Sequence, residues 1–192
     1  HYLTANNYDC LEDFVAEIIE KDVAWKSEVA ICWLNENKLI NISESIVSKM
    51  NNCQLKDDLL GYIVYYYINI GKNNKVKSYL SQIVNDEKRD HWLKASAILF
   101  ARNGHLEMVD YCISKIYFID EQVLTLCLVS IEFYNKKEIS ELQILKKYRK
   151  EAYQRCLKIE KNKEVKKLAL QYIYSHEETD ADILVEVFVN LI

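Results

Sequence analysis

The chain has 192 residues and is 50% hydrophobic, which is enough for one domain with a packed core. It contains no proline and only three glycines, so its composition argues against β-rich folds and long loops, where both residues form the turns. No apolar run approaches the ~18–20 residues that a membrane-spanning helix requires. The opening HYLTANNYDC lacks the basic and apolar regions of a signal peptide. We therefore expect helices joined by short connections, with no membrane span.

Helical periodicity runs along most of the chain. The stretch YDCLEDFVAEIIEKD predicts an N-terminal helix at residues 8–21. Four helical hairpins follow, and their apolar residues recur at positions i, i+3, i+4 and i+7, which is the apolar stripe of an α-helix. The predicted hairpins cover about residues 25–56, 57–89, 90–122 and 123–162, and a C-terminal capping hairpin covers 163–192.

The hairpins repeat with a period of 33 residues. Gly71 falls on Gly104, and both suit the left-handed residue that commonly ends a helix, so we place the turn of each hairpin there. Five further columns keep one residue character through the repeats, and the apolar columns predict packing positions. The columns are Leu34, Tyr67, Phe100 and Phe133; Val47, Leu80 and Ile113; Met50, Ile83 and Ile116; Val76, Val109 and Leu142; and Ser48, Ser81 and Ser114.

The register weakens at both ends of the array, as expected for repeats that have only one neighbour. In the first hairpin, Ser43 stands where the column predicts valine. In the fourth, Lys146 and Arg149 stand where two columns carry isoleucine. We predict that the second helix of this hairpin runs on through residue 162.

One short segment is similar to a different repeat. The residues ARNGHLEMV, at 101–109, resemble the turn and second helix of an ankyrin repeat, which has the same period. The T-P-L-H sequence that opens an ankyrin repeat is replaced by WLKASAIL, and YFIDEQ at 117–122 is too short for the ankyrin finger. The ankyrin resemblance is therefore local.

The tetratricopeptide repeat fits the apolar spacing over about residues 25–135 more closely. The residues that carry the match are Leu60, Ile63, Val64, Tyr67, Val76, Leu80 and Ile83, and Leu93, Ser96, Ala97, Phe100, Val109, Ile113 and Ile116. They resemble the pattern W-x2-L-G-x2-Y with its following small and aromatic positions, although the closing proline is absent. The resemblance implies an all-α fold, a right-handed α–α superhelix of helical hairpins that forms one solenoid domain over residues 1–192. HEAT-like stacking is the alternative that the same pattern allows.

The resemblance also implies a binding surface. In tetratricopeptide proteins, first-helix residues outside the core stripe line a concave face that binds a peptide or a partner protein. Ile68 and Cys127 fall on that face by the same correspondence, and its aromatic and arginine residues are of the types that dominate binding energy. The partner-binding candidates are Trp25, Glu28, Tyr65, Asn69, Lys94, Ile98, Arg102, Tyr134 and Asn135.

A basic segment supports an alternative function. Residues 146–167 carry ten lysines and arginines against three glutamates, a net charge of +7, so the remainder of the chain carries −11. A basic helix at 146–167 could bind nucleic acid or an anionic surface. The overall charge of −4 and the lack of an RNA-binding motif favour a solvated helix instead. A further alternative is a helical regulatory segment of a larger protein.

Residues for catalysis, cofactor binding or metal binding are not grouped in any recognisable motif. The four histidines have no cysteine or aspartate at a known spacing, and the acidic stretch 177–182 lacks the glycine and glutamate of an EF-hand. The six scattered cysteines are typical of reduced, buried thiols in a cytoplasmic protein. We expect no enzymatic activity, no cofactor and no metal. The apolar segment 183–192 is suited to cap the array or to join a second copy.

Overall fold

The computed structural model describes residues 24–36, 38–51, 53–136 and 139–174, together with Glu17. These residues form α-helices and their connections, without a β-strand, and the prediction of an all-α protein is confirmed for this part of the chain. The predicted helix at 8–21, apart from Glu17, and the second half of the capping hairpin lie outside the described residues.

The described helices follow the predicted order of first and second helices, and the last one begins the capping hairpin. They are α1 Ala24–Glu36, α2 Ile40–Lys49, α3 Cys53–Asn69, α4 Asn73–Leu80, α5 Asp86–Arg102, α6 Leu106–Lys115, α7 Ile119–Lys136, α8 Ile139–Cys156 and α9 Lys163–Tyr174. Three of the first helices, α3, α5 and α7, begin about one turn before the predicted hairpins, and α5, for example, begins at Asp86 rather than at residue 90.

The chain divides into two compact units within α5, after Trp92. In the N-terminal unit, α1 packs against α2 and α3, and α3 packs against α2 and α4. In the C-terminal unit, α7 packs against α6, α8 and α9, and α9 also packs against α8. The prediction that all hairpins form one superhelical solenoid stays a prediction.

The turn between first and second helix is the same in the first three hairpins. In the second hairpin, Gly71 has φ = +69°, and the N–H of Lys72 donates to the carbonyl of Tyr67 at 2.9 Å. This bond spans six residues and is the mark of a Schellman helix end. The equivalent bonds, 33 residues away on either side, join Leu39 to Leu34 at 2.8 Å and His105 to Phe100 at 2.9 Å.

The left-handed residue itself differs among the three turns. Gly104, with φ = +75°, repeats Gly71 as predicted, but the first hairpin has Lys38 at φ = +62°. A side chain with a Cβ is strained in this conformation, whereas glycine is not. The first turn is therefore built like the other two at a higher conformational cost.

The apolar columns of the repeat form the cores of both units. The large column of Leu34, Tyr67, Phe100 and Phe133 is buried throughout, with at most 6% of any side chain exposed. The described members of the other apolar columns are also buried except Met50, which is half-buried, and the side chain of Leu142 lies outside the described residues. The burial predicted for the apolar columns is thus confirmed for every described member except Met50.

The serine column has a local structural role. Ser48, Ser81 and Ser114 are exposed near the ends of successive second helices. Each Oγ donates a hydrogen bond of 2.7 Å to the carbonyl three residues earlier. These bonds add the same local side-chain contact at the end of each of the three helices.

Ser43 departs from the valine column without leaving an unsatisfied polar group. Its Oγ donates to Asn35 Oδ1 at 2.8 Å, and both side chains are buried. Asn35 Nδ2 in turn donates to the carbonyl of Tyr62 on α3 at 3.2 Å. The polar residue therefore links α2 and α1 to the next hairpin, because a buried hydroxyl is tolerated where it finds a partner.

A buried carboxylate sets the start of α5. Asp57, on α3, is 2% exposed and accepts hydrogen bonds from the backbone N–H groups of Val84 and Asn85 at 3.0 and 2.8 Å. Asn85 then caps the helix, since its Oδ1 accepts from the N–H of Lys88 at 2.9 Å. This explains why residues 86–89, which precede the predicted start of the third hairpin, are already helical.

Gly61 allows α3 and α5 to approach closely within the N-terminal unit. A Cβ at Gly61 would lie 1.7 Å from Trp92 Cε2, so the indole occupies the space that any larger residue needs. The same ring meets Tyr62 edge to face with centroids 5.5 Å apart. The glycine is required here for space rather than for backbone conformation.

We predict that Lys38→Gly stabilises the protein by about 1 kcal/mol, because glycine removes the strain of a left-handed residue with a Cβ. Gly71→Ala is the reverse experiment at the equivalent turn and should destabilise by a similar amount. Its Cβ would meet no atom within 4 Å, so conformation alone is tested. Urea unfolding of both variants measures the change, and a destabilised Lys38→Gly variant would contradict the prediction.

Candidate functional site

The predicted binding face keeps an exposed aromatic at the end of α3. Tyr65 is 49% exposed, and Asn69, one turn later, is also exposed. Ile70 follows in the turn with 46% of its side chain exposed. Tyr65, Asn69 and Ile70 therefore form a small surface, here called the α3 patch, that combines apolar area with an amide.

The three consecutive tyrosines of α3 point in different directions, as three successive residues of a helix must. Tyr67 is in the core, as predicted from its column. Tyr66 is half-buried, and its ring meets Tyr67 edge to face at 5.5 Å. Tyr65 alone is exposed, so it is the tyrosine of this group that can contact another molecule.

The candidates on α5 form one stripe that contacts α7. Lys94 Nζ lies 2.7 Å from Glu121 Oε2, and Arg102 Nη2 lies 2.9 Å from Glu132 Oε1. Ile98 lies between these two positions on the helix and is half-buried. The two cations are therefore engaged in ion pairs within the C-terminal unit, and a partner would have to share or replace those carboxylates.

The remaining candidates divide into two groups. Ile68 and Cys127 are buried, with 3% and 6% exposed, so their assignment to a binding face is wrong. Trp25 and Glu28 lie in α1, and Tyr134 and Asn135 lie in α7, but their side chains are outside the described part of the structure. Tyr65 and Asn69 are thus the described candidates that are exposed and not engaged in an ion pair with a neighbouring helix.

The structure contains a polar cluster around Glu44 that the sequence pattern did not predict. Its Oε1 accepts hydrogen bonds from Tyr67 Oη at 2.6 Å and from Tyr79 Oη. Lys75 Nζ lies 3.2 Å from the same oxygen. The Tyr67 and Tyr79 rings stack with centroids 5.7 Å apart. One carboxylate on α2 thereby holds three side chains of the following hairpin.

The electrostatics of the cluster keep Glu44 ionised and the phenols protonated. Burial raises the pKa of Glu44, but the hydrogen bonds from the two tyrosines and the contact with Lys75 outweigh it, so the pKa falls below its ordinary value of 4.5. Burial, followed by the nearby carboxylate, raises the pKa of Tyr67 and Tyr79 above 10.0. The cluster is a stabilising contact rather than a proton-transfer site.

A similar cluster occurs 66 residues later, in the C-terminal unit. Asp110 accepts from Tyr148 Oη at 2.8 Å and pairs with Lys147 Nζ at 2.8 Å. Tyr148 stacks on Phe133 with centroids 5.8 Å apart. Glu44 and Asp110 share one column of the repeat, with Lys77 between them. An acidic residue at the same repeat position was the sequence signal for these two clusters. Lys77, at that position in the repeat between them, obscured it.

The basic segment does not form the predicted continuous helix. α8 ends at Cys156 and α9 begins at Lys163, so the predictions of a helix through residue 162 and of a basic helix at 146–167 are wrong. Arg149 is buried, with 4% exposed. Lys147 pairs with Asp110, and Arg155 pairs with Glu151. The exposed basic residues are Lys146, Lys147, Lys150, Lys158, Lys161, Lys163 and Lys167.

Most of the described cysteines lie in the packed interior. Cys112, Cys127 and Cys156 are buried free thiols, and burial raises the pKa of Cys127 to about 12. A thiol with so high a pKa is a poor nucleophile. His105 packs against the Phe100 ring at a centroid distance of 6.1 Å. Among the described residues, no three His, Cys, Asp or Glu side chains are grouped so as to hold a metal ion.

Comparisons with protein families, curated proteins and solved structures found no match to this chain. Within the described residues, every helix is too short or too polar to span a membrane. The function must therefore be argued from the surfaces described above.

We predict that Glu44→Gln reduces the acid sensitivity of the fold and lowers its stability at neutral pH by about 1–2 kcal/mol, because hydrogen bonds to a charged acceptor are lost. The folded-state pKa of Glu44 lies below 4.5, so the ionised group stabilises the fold above that pH. This stability is lost as the pH falls through the folded-state pKa. Urea unfolding across pH measures the slope.

Glu160→Gln is a matched control for this pH experiment, since Glu160 is exposed in the connection between α8 and α9. It should leave the pH dependence of the unfolding free energy unchanged. Equal acid sensitivity of the wild-type protein and Glu44→Gln would contradict the role assigned to the Glu44 carboxylate.

We predict that the Lys94–Glu121 pair contributes a coupling energy of about 0.5–1 kcal/mol and the Arg102–Glu132 pair less than about 0.5 kcal/mol. The difference is expected because the Arg102 side chain is 58% exposed and that of Lys94 only 25%. Double-mutant cycles with alanine, measured by urea unfolding, give both values. A larger coupling at Arg102 would contradict this order.

Proposed function

We propose that this chain is a helical-repeat interaction module that binds a peptide or a segment of a partner protein through its first helices. The observation that carries the proposal is the α3 patch. Tyr65, which is 49% exposed, presents a large amphipathic ring on a regular helix, beside Asn69. Tyrosine supplies much contact area for little loss of conformational entropy, and asparagine can hydrogen-bond a peptide backbone.

The repeat architecture supports this proposal. Three turns of the same geometry at 33-residue spacing place each second helix in the same way after its first helix. We propose that the hairpins continue this regularity as a tetratricopeptide-like, right-handed solenoid of cytoplasmic location, with the first helices on the concave side. Solenoids of stacked hairpins present extended surfaces that suit a long, thin ligand.

The α5 stripe, in the C-terminal unit, is a weaker candidate for the binding surface. Lys94 and Arg102 lie eight residues apart on one helix, each beside a carboxylate of α7. We propose that the α3 patch, rather than this neutralised stripe, is the main binding surface. Exposed ion pairs of this kind contribute little on their own.

The basic alternative has weaker support. A charged surface that binds phosphates needs many cations on a continuous face. Here Arg149 is buried, Lys147 and Arg155 are paired, and α8 and α9 are separated by a connection. The binding of an anionic surface therefore requires more rearrangement of charges than the binding of a peptide by the α3 patch.

The proposal is tested by selecting peptide ligands from a displayed random library against the folded protein and measuring their Kd by fluorescence anisotropy. We expect Tyr65→Ala to weaken binding at least about tenfold, since a central interface tyrosine contributes more than about 1.4 kcal/mol. The matched control is Tyr117→Ala, because Tyr117 is 68% exposed but lies in the connection between α6 and α7.

Each outcome of the peptide experiment bears on the proposal. A loss of affinity in Tyr65→Ala with wild-type affinity in Tyr117→Ala supports it. Equal affinity of all three proteins, or a loss confined to Tyr117→Ala, overturns the assignment of the surface. Failure of the library to give any peptide that the folded protein binds overturns the proposed function itself.

A further inference from the structure

Among the described residues, Arg149 is the one charged side chain with two buried nitrogens that lack a hydrogen-bond acceptor. It lies on α8, is 4% exposed, and neither its Nε nor its Nη2 finds a hydrogen-bond acceptor in the described structure. Buried guanidinium groups are otherwise paired or fully hydrogen-bonded, because an uncompensated charge in the protein interior is strongly unfavourable. The position therefore calls for a compensating group.

The two atoms without a partner belong to the same edge of the guanidinium. The N–H bonds of Nε and Nη2 point in nearly parallel directions, so together they form a fork that matches two oxygens of one oxyanion. Two neighbouring donors that both lack an acceptor can bind one partner together, which two distant donors could not. This is the geometry of a bidentate contact with one partner.

The neighbours of Arg149 do not neutralise it. Burial raises the pKa of Cys127 on α7 and of Tyr172 on α9 to about 12, although Arg149 opposes both shifts through its charge and, at Tyr172, also through a side-chain contact. A thiol and a phenol with such pKa values are uncharged at neutral pH. They can line a site around the guanidinium, but they add no negative charge to it.

Two carboxylates that contact α8 are engaged with other side chains. Glu151, two residues away on α8, pairs with Arg155. Asp110 accepts from Lys147 and Tyr148, which flank the same turn of the helix. No ion pair joins Arg149 to an acidic residue in the part of the chain that the structure describes. The compensating charge must therefore come from outside these residues.

We propose that the Nε–Nη2 edge of Arg149 is a binding site for a single carboxylate, enclosed by α7, α8 and α9. A carboxylate is planar, carries one negative charge and offers two oxygens at the spacing of the fork. A phosphate dianion fits less well, because one guanidinium would leave part of its charge buried without compensation. The site depends neither on the α3 patch nor on the proposed function.

The carboxylate has two sources that share this chemistry. One is an acidic side chain of the protein itself, and Glu177, Glu178, Asp180 and Asp182 follow α9 in the sequence. The other is a carboxylate ligand from outside the chain. The experiment distinguishes these sources with one probe, sodium acetate, added at constant ionic strength with chloride as the balancing salt.

The measurement is the ¹⁵Nε–H resonance of Arg149 in the full chain, which has four arginines, assigned by its loss in Arg149→Lys. For an external source, acetate shifts this resonance in a saturable way. It also raises the melting temperature of the wild-type protein, because a ligand that binds only the folded state stabilises it. Arg149→Lys keeps the charge but loses the fork, so the acetate Kd should rise at least about tenfold.

For an internal source, the wild-type resonance is protected from exchange and does not respond to acetate. It should become responsive when Glu177, Glu178, Asp180 and Asp182 are replaced together by Gln and Asn. Arg155→Lys serves as the matched control in both arms, because Arg155 is already paired with Glu151 and its loss should leave the acetate response unchanged.

Three results would overturn the proposal. The first is a resonance that ignores acetate in both the wild-type protein and the variant with neutralised acids. The second is an Nε–H that exchanges with water as fast as that of the exposed Arg102, since the edge would then be solvated. The third is a melting temperature that acetate raises equally in the wild-type protein and in Arg149→Lys.

Discussion

The left-handed residue that ends the first helix of each of the first three hairpins is the constraint on which these hairpins depend. It reverses the chain within a few residues and allows the six-residue bond, from Lys72 to Tyr67 in the second hairpin, that closes the helix. The acceptor of this bond always belongs to the large buried column, so the turn and the core share one residue. Because turn and core are coupled in this way, the same 33-residue spacing reappears in the backbone bonds and in the buried side chains.

Three carboxylates make long-range contacts within the two units. Asp57 is buried and accepts from the backbone that leads into α5, half-buried Glu44 accepts from two phenols and an ammonium group, and exposed Asp110 makes a similar contact in the C-terminal unit. Each carboxylate is matched by hydrogen-bond donors, which makes the contact specific as well as stabilising. Arg149 breaks this rule, and that contrast with its well-paired neighbours is why it is informative.

The pairing of charged side chains also determines which surfaces stay exposed. The cations on α5 pair with α7, whereas the end of α3 keeps Tyr65 exposed. An interaction module needs accessible apolar area more than it needs exposed ion pairs. For this reason the proposed interaction is based on the α3 patch rather than on the α5 stripe.

Local pattern in the sequence was sufficient to predict the helices, the positions of two left-handed glycines and most of the buried columns. It was sufficient because helical periodicity and turn chemistry are properties of neighbouring residues. The tertiary structure decided what depends on residues far apart in the chain. Asp57 bonds to backbone 27 and 28 residues away, which starts α5 one turn early. Glu121 and Glu132 neutralise Lys94 and Arg102 from the next first helix. Arg149 is buried where α9 packs against α7 and α8. Its position in the repeat predicted a buried apolar residue, whereas its charge predicted an exposed one. No pattern of neighbouring residues could weigh these two signals, because the result depends on which helix covers the position.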